Sequence, residues 1–84
     1  MIASARRRLE ATEATARRLG YYSLEYEARL ALDELDMKTS PALGRSRLTS
    51  FAAEARSHGL LLLARRAEHA ISTADNAVTY APAR

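Results

Sequence analysis

The chain has 84 residues, 48% of them hydrophobic and 27% charged, which is one small domain near the lower size at which a single core confers useful stability. It contains no cysteine, so neither a disulfide framework nor a thiolate metal site can reinforce that core. Its formal charge of +3 comes from twelve arginines and one lysine against ten acids, a balance that permits contact with nucleic acid or an acidic partner without requiring either.

From Ile2 to Leu19 the apolar and weakly apolar positions fall at Ile2, Ala5, Leu9, Thr12, Ala16 and Leu19. Their three-and-four spacing puts them on one helical stripe, and Gly20 suits the left-handed residue that closes a helix. Arg6, Arg7 and Arg8 faintly suggest a targeting presequence, but Glu10 and Glu13 argue against it because such segments are poor in acids. A second helix is expected from Tyr22 or Ser23 to about Lys38, with Ser23 as N-cap. It carries two apolar faces, one of Leu24, Ala28, Ala31, Leu32 and Leu35, the other of Tyr22, Tyr26, Leu30 and Met37. Burial on both sides predicts a helix sandwiched between neighbours. Glu13–Arg17, Glu25–Arg29 and Glu34–Lys38 have the spacing of stabilising i,i+4 pairs.

Thr39-Ser40-Pro41 marks a boundary: Ser40 can cap a new helix and Pro41 fits its first position. The third helix is expected from about Pro41 to His58, burying Leu48, Phe51, Ala52 and Ala55, with Gly44 weakening its first turn by roughly 1 kcal/mol. Gly59 should close it as Gly20 closes the first. The fourth runs from about Leu60 to near Val78 through Leu63, Ala67, Ala70, Ile71 and Ala74. The longest aliphatic run, Leu60–Leu63, falls far short of the roughly 18 residues of a membrane span. These four leucines cannot all point inward from one helix, so at least one should reach solvent or a partner. Residues 80–84 are expected to fray.

The two halves of the chain align with one another at a constant offset. Arg6 falls on Arg45, Arg8 on Arg47, Leu9 on Leu48, Ala16 on Ala55, Arg17 on Arg56, Gly20 on Gly59, Leu24 on Leu63, Ala28 on Ala67 and Asp36 on Asp75. The expected fold is therefore all-α. One domain (1–79) holds two antiparallel helical hairpins, about 2–38 and 41–78, stacked as a short α-solenoid.

Phe51 and Ala55, followed by Ala67, Ile71 and Ala74, resemble the large-and-small signature of a tetratricopeptide repeat. In the first half Ala16, Ala28 and Leu32 match, while Thr12 replaces the expected aromatic, Leu35 takes the later alanine's place, and Pro41 comes one residue late. The period is 39 where that motif has 34. The segments ARRLGYYSLEYEARLAL and GRSRLTSFAAEARSHGLLLLARRAEHA also resemble a helical-repeat region at the ends of large bacterial proteins, including regulators and kinases. The tetratricopeptide resemblance implies a protein-interaction scaffold, and the lack of cysteine, of a membrane-length apolar run and of a signal-peptide core leads to the expectation of a cytoplasmic location. The second resemblance implies a piece of a longer array, and the arginine and alanine bias equally fits a GC-rich bacterial genome.

Catalytic chemistry is not expected. His58 and His69 lack a ligand constellation, and Glu68-His69 lacks the second histidine of HExxH. The carboxylates mostly have a basic residue at helical spacing, so no catalytic residue, metal site or cofactor is assigned. Arg6, Arg17, Arg45 and Arg56 occupy equivalent places in the first helix of each hairpin. They could form a basic strip on an inner surface of helices one and three that grips a protein or acidic peptide; a plain solvated face, partly neutralised by Glu10 and Glu13, is the competing reading. Tyr22 joins the candidate contacts because tyrosine suits interfaces, with groove filling as the competing role for Tyr21, Tyr22 and Tyr26. Two bare hairpins are fewer than the roughly three that such stacks need, so self-association through the outer helices is also expected. Nucleic-acid binding and a purely structural homodimeric bundle are the alternatives.

Overall fold

The computed structural model describes residues 2–80, with the side chains of 76–80 excepted. It is all-helical: α1 (Ile2–Leu19), α2 (Tyr22–Thr39), α3 (Pro41–Ser57) and α4 (Leu61–Tyr80). Of the tail expected at 80–84, only Tyr80 lies within the described residues, as the last residue of α4. α1 pairs with α2 and α3 with α4, and α2 also packs on α3 and α4. α2 is therefore the middle layer that its two apolar faces require.

The two hairpin turns are built alike. Gly20 and Gly59 have φ of 79° and 78°, a region open to glycine because it has no Cβ. At the first turn the Gly20 N–H donates to the Arg17 carbonyl and the Tyr21 N–H to the Ala16 carbonyl. At the second, Gly59 donates to Arg56 and Leu60 to Ala55. These bonds satisfy the last carbonyls of each helix in the Schellman pattern. Each bond of the second turn joins the repeat counterparts of a bond in the first.

The remaining boundaries depart from the expected caps. α2 begins one residue before Ser23, with Tyr21 at the N-cap position and no side-chain cap bond. The backbone bond that closes the glycine turn already sets the chain into its helical path, leaving Ser23 inside the first turn. Ser40 does occupy the N-cap of α3, and Pro41 its first turn, but the serine hydroxyl makes no cap bond. His58, expected at the C-terminal end of α3, is its C-cap.

The core lies between α2 and the second hairpin. Tyr26 and Leu30 meet Leu48, Phe51, Ala52 and Ala55 of α3 and Ala64 and Ala67 of α4, with Leu60, Leu63, Ala70 and Ile71 packed around them. The apolar face expected for α3 is buried in full. α1 is a thinner layer: only Ala16 is buried, and Ile2 and Leu19 at the ends of its stripe are exposed.

Gly44 has a different role from the one its helix propensity suggests. It is buried where α3 leaves the end of α2, and a Cβ there would lie 2.8 Å from the Asp36 carbonyl carbon and closer still to the Met37 backbone. The glycine permits that approach, and the short link through Ser40 enforces it.

Candidate interaction surface

Each of the four candidate arginines, Arg6, Arg17, Arg45 and Arg56, is tied to a carboxylate of its own hairpin. Arg6 Nη2 donates to Asp36 Oδ1 at 2.6 Å, and their repeat counterparts Arg45 and Asp75 pair in the same way. Arg17 donates to Glu13 at 2.7 Å and to Glu25 at 2.9 Å, and Arg56 pairs with Glu68. Each of the four arginines thereby ties the first helix of its hairpin to the second. These ties use much of the charge that a basic strip would offer, although all four guanidinium groups keep some solvent contact.

A second set of polar contacts joins the hairpins. Arg47 Nη1 donates to Asp36 Oδ2 at 2.8 Å, so this buried carboxylate holds one arginine from each hairpin. Tyr26 Oη and Arg29 Nη2 donate to the two oxygens of Glu54 at 2.6 and 2.7 Å. Arg29 also lies over the rings of Tyr26 and Phe51, a cation–π arrangement. The Arg29 bond, followed by the Tyr26 bond, lowers the Glu54 carboxyl to about 2, while burial followed by the Glu54 bond raises the Tyr26 phenol. Arg66 grips Glu34 with two bonds of 3.0 and 3.2 Å.

These contacts redraw the local pairs expected from spacing. Glu13–Arg17 forms. Glu25 instead takes Arg17, Arg29 takes Glu54, and Glu34 takes Arg66. A partner on the facing helix replaces an i,i+4 pair of only about 0.2–0.5 kcal/mol, and the Arg29–Glu54 bond is also part-buried.

α1 and α3 do not pack on one another. Between them lies an open cleft of about 420 Å³, lined from α1 by Arg6, Glu10 and Glu13, from α2 by Arg29 and Asp33, and from α3 by Arg47. The structure thus gathers Arg6, Arg29 and Arg47 around mixed charge; Arg17, Arg45 and Arg56 lie outside the cleft lining. Burial pushes the Asp33 carboxyl up to about 6 against the opposing pull of Arg29. Asp36 was marked only by its repeat match to Asp75, and Asp33, Arg29 and Glu54 had no repeat or motif to mark them. The one available signal was acids at 33 and 36 on a helix with two apolar faces, which places at least one of them in a packed layer.

The tyrosines divide. Tyr26 is buried, its ring 5.8 Å from Phe51, and fills the groove between α2 and α3. Tyr22 is half-exposed and packs on the His58 ring at 5.2 Å. This places the start of α2 beside the Gly59 turn, so both glycine turns share one end of the molecule. Leu19, Tyr21, Tyr22, Leu24, Leu61 and Leu62 are exposed around them, with Leu62 79% accessible. Leu60 and Leu63 pack on the core, which bears out the outward turn expected within the leucine run.

Among the described residues no His, Asp or Glu cluster has metal-binding geometry, and no helix is long and apolar enough to cross a membrane. No family model matches the chain, and no curated protein and no solved structure is detectably similar to it.

Proposed function

We propose that this chain is a non-catalytic protein-interaction module, a short tetratricopeptide-like scaffold of the cytoplasm that holds a protein partner on a helical-repeat face. The observation that carries this reading is the apolar end. Six large apolar side chains lie exposed close to Gly20 or Gly59 in the chain, and exposed apolar side chains gathered in this number favour a contact site over free surface. Tyr22 belongs to that end. Arg17 and Arg56 flank it one helical turn away, where their exposed guanidinium edges would meet acids at the rim of a partner. Such an arrangement, with apolar contact at the centre and charge outside, is the usual anatomy of a protein interface.

The nucleic-acid alternative is weaker because seven arginines are already committed to carboxylates. The test is affinity capture from the source cells with the wild-type chain and with a Leu61→Glu, Leu62→Glu variant of unchanged helicity. Proteins retained by the wild type and lost by the variant are the expected result. Equal retention by both would overturn the reading, as would a captured nucleic acid whose binding collapses with salt.

A further inference from the structure

The repeat extends from residues to contacts. Tyr26 and Tyr22 of α2 are held by Phe51, Glu54 and His58 of the second hairpin, with Ala55, Leu60 and Leu63 beside them. The repeat counterparts of these six positions in the first hairpin are Thr12, Thr15, Leu19, Ala16, Tyr21 and Leu24. Those six residues line a groove of about 310 Å³ between α1 and α2 on the outer side of the first hairpin. The first hairpin therefore carries, empty, the surface that the second hairpin uses to seat a helix.

We infer that this groove docks one amphipathic helix of a partner protein, in the way that the second hairpin docks α2. The docked helix is described by what α2 presents at residues 22, 26, 30 and 36, with each place adjusted to the residue now facing it. Leu19 in place of His58 favours an aliphatic side chain at the first position. Thr12 in place of Phe51 leaves room for a full aromatic at the second, and Thr15 in place of Glu54 offers that aromatic a hydroxyl partner. Leu9, the counterpart of Leu48, meets an aliphatic residue at the third. The fourth position calls for an acid. Arg8 is the counterpart of Arg47, which binds Asp36 across the hairpin junction. Arg8 is itself exposed and pairs with no carboxylate among the described residues.

A second copy is the wrong occupant. Its α4 would bring Leu61, Arg65, His69 and Asp75 to the four places, setting an arginine where an aromatic fits and a histidine over Leu9. The inference rests on the protein-binding reading and narrows it to one groove and one class of partner.

The probe is a covalently stapled helical peptide of the sequence 22–39, titrated into the full chain and followed by fluorescence anisotropy. Saturable binding is expected, weakened at least fivefold by Arg8→Glu and at least tenfold by Thr15→Arg in the chain. A peptide carrying Asp36→Lys should bind poorly to the wild type and recover at least fivefold on the Arg8→Glu variant. Such recovery assigns the contact to Arg8, because exchange of the peptide for the chain's own α2 would leave Arg8 without effect. Binding indifferent to Arg8 and Thr15, no binding, or sedimentation showing head-to-tail stacks of the chain alone would each overturn the inference. The Leu61 and Leu62 variant separates the two readings: partner capture that depends on those leucines but not on Thr15 keeps the interaction module and removes the groove.

Discussion

Asp36 and Asp75 occupy the same place in the repeat and each pairs with the corresponding arginine of its own hairpin, yet their surroundings differ. The Asp36 side chain is 5% exposed and holds two arginines, whereas that of Asp75 is 48% exposed. Charge-assisted bonds to a buried carboxylate contribute about 1.5–3 kcal/mol, and exposed pairs about 0–1 kcal/mol. Asp36→Asn should therefore lower stability by about 2 kcal/mol in urea unfolding, and Asp75→Asn by less than about 1 kcal/mol. Asp33 and Glu54 set opposite pH dependences. Asp33 titrates near 6 in the folded chain and lower when unfolded, so the folded state binds its proton more tightly and stability declines as pH rises from about 4 to about 6. Each tenfold difference in proton affinity corresponds to roughly 1.4 kcal/mol, so the decline is at most about 3 kcal/mol. Glu54, lowered to about 2, stabilises above about 4.5 and loses that contribution as pH falls toward 2. In thermal unfolding from pH 2 to 8, Asp33→Asn should raise the midpoint above pH 6 and abolish the decline between 4 and 6. The loss below about 4.5 should remain.

At the scale of elements, the features written into neighbouring residues were legible. Gly20, Gly59 and Pro41 announced the helix ends because a left-handed turn or a missing N–H is a local demand, and the spacing of Leu48, Phe51, Ala52 and Ala55 announced the buried face of α3. Contacts between residues far apart in the chain were not legible. Nothing near Arg6 points to Asp36, and nothing near Arg29 announces Glu54 as a better partner than Glu25. The candidate site divides in the same way: the outward leucine could be read, whereas the ties that occupy the repeated arginines could not. Gly44 is the sharpest case, since local reasoning gives it the wrong sign. Propensity alone predicts that Gly44→Ala stabilises α3 by about 1 kcal/mol. With the Met37 and Asp36 backbone against that position, overpacking of about 1–3 kcal/mol opposes the gain. Gly44→Ala should lower the thermal midpoint, with circular dichroism as the measurement.

The whole molecule is a slab of 50 × 31 × 15 Å, its thin dimension about that of two helix layers packed roughly 8–10 Å apart. Its radius of gyration of 13.7 Å exceeds the roughly 12 Å expected of a globule of this length. Each helix is therefore near solvent on some side, and α2 alone touches all three others. That central position makes the duplicated sequence a poor guide to cooperativity. Without α2, the second hairpin would expose Phe51 and Leu48, which are fully buried against Tyr26 and Leu30. A peptide of residues 41–80 should show little helicity by circular dichroism, and mixing it with a peptide of residues 2–39 should restore the signal. The repeat is two units of sequence and one unit of folding.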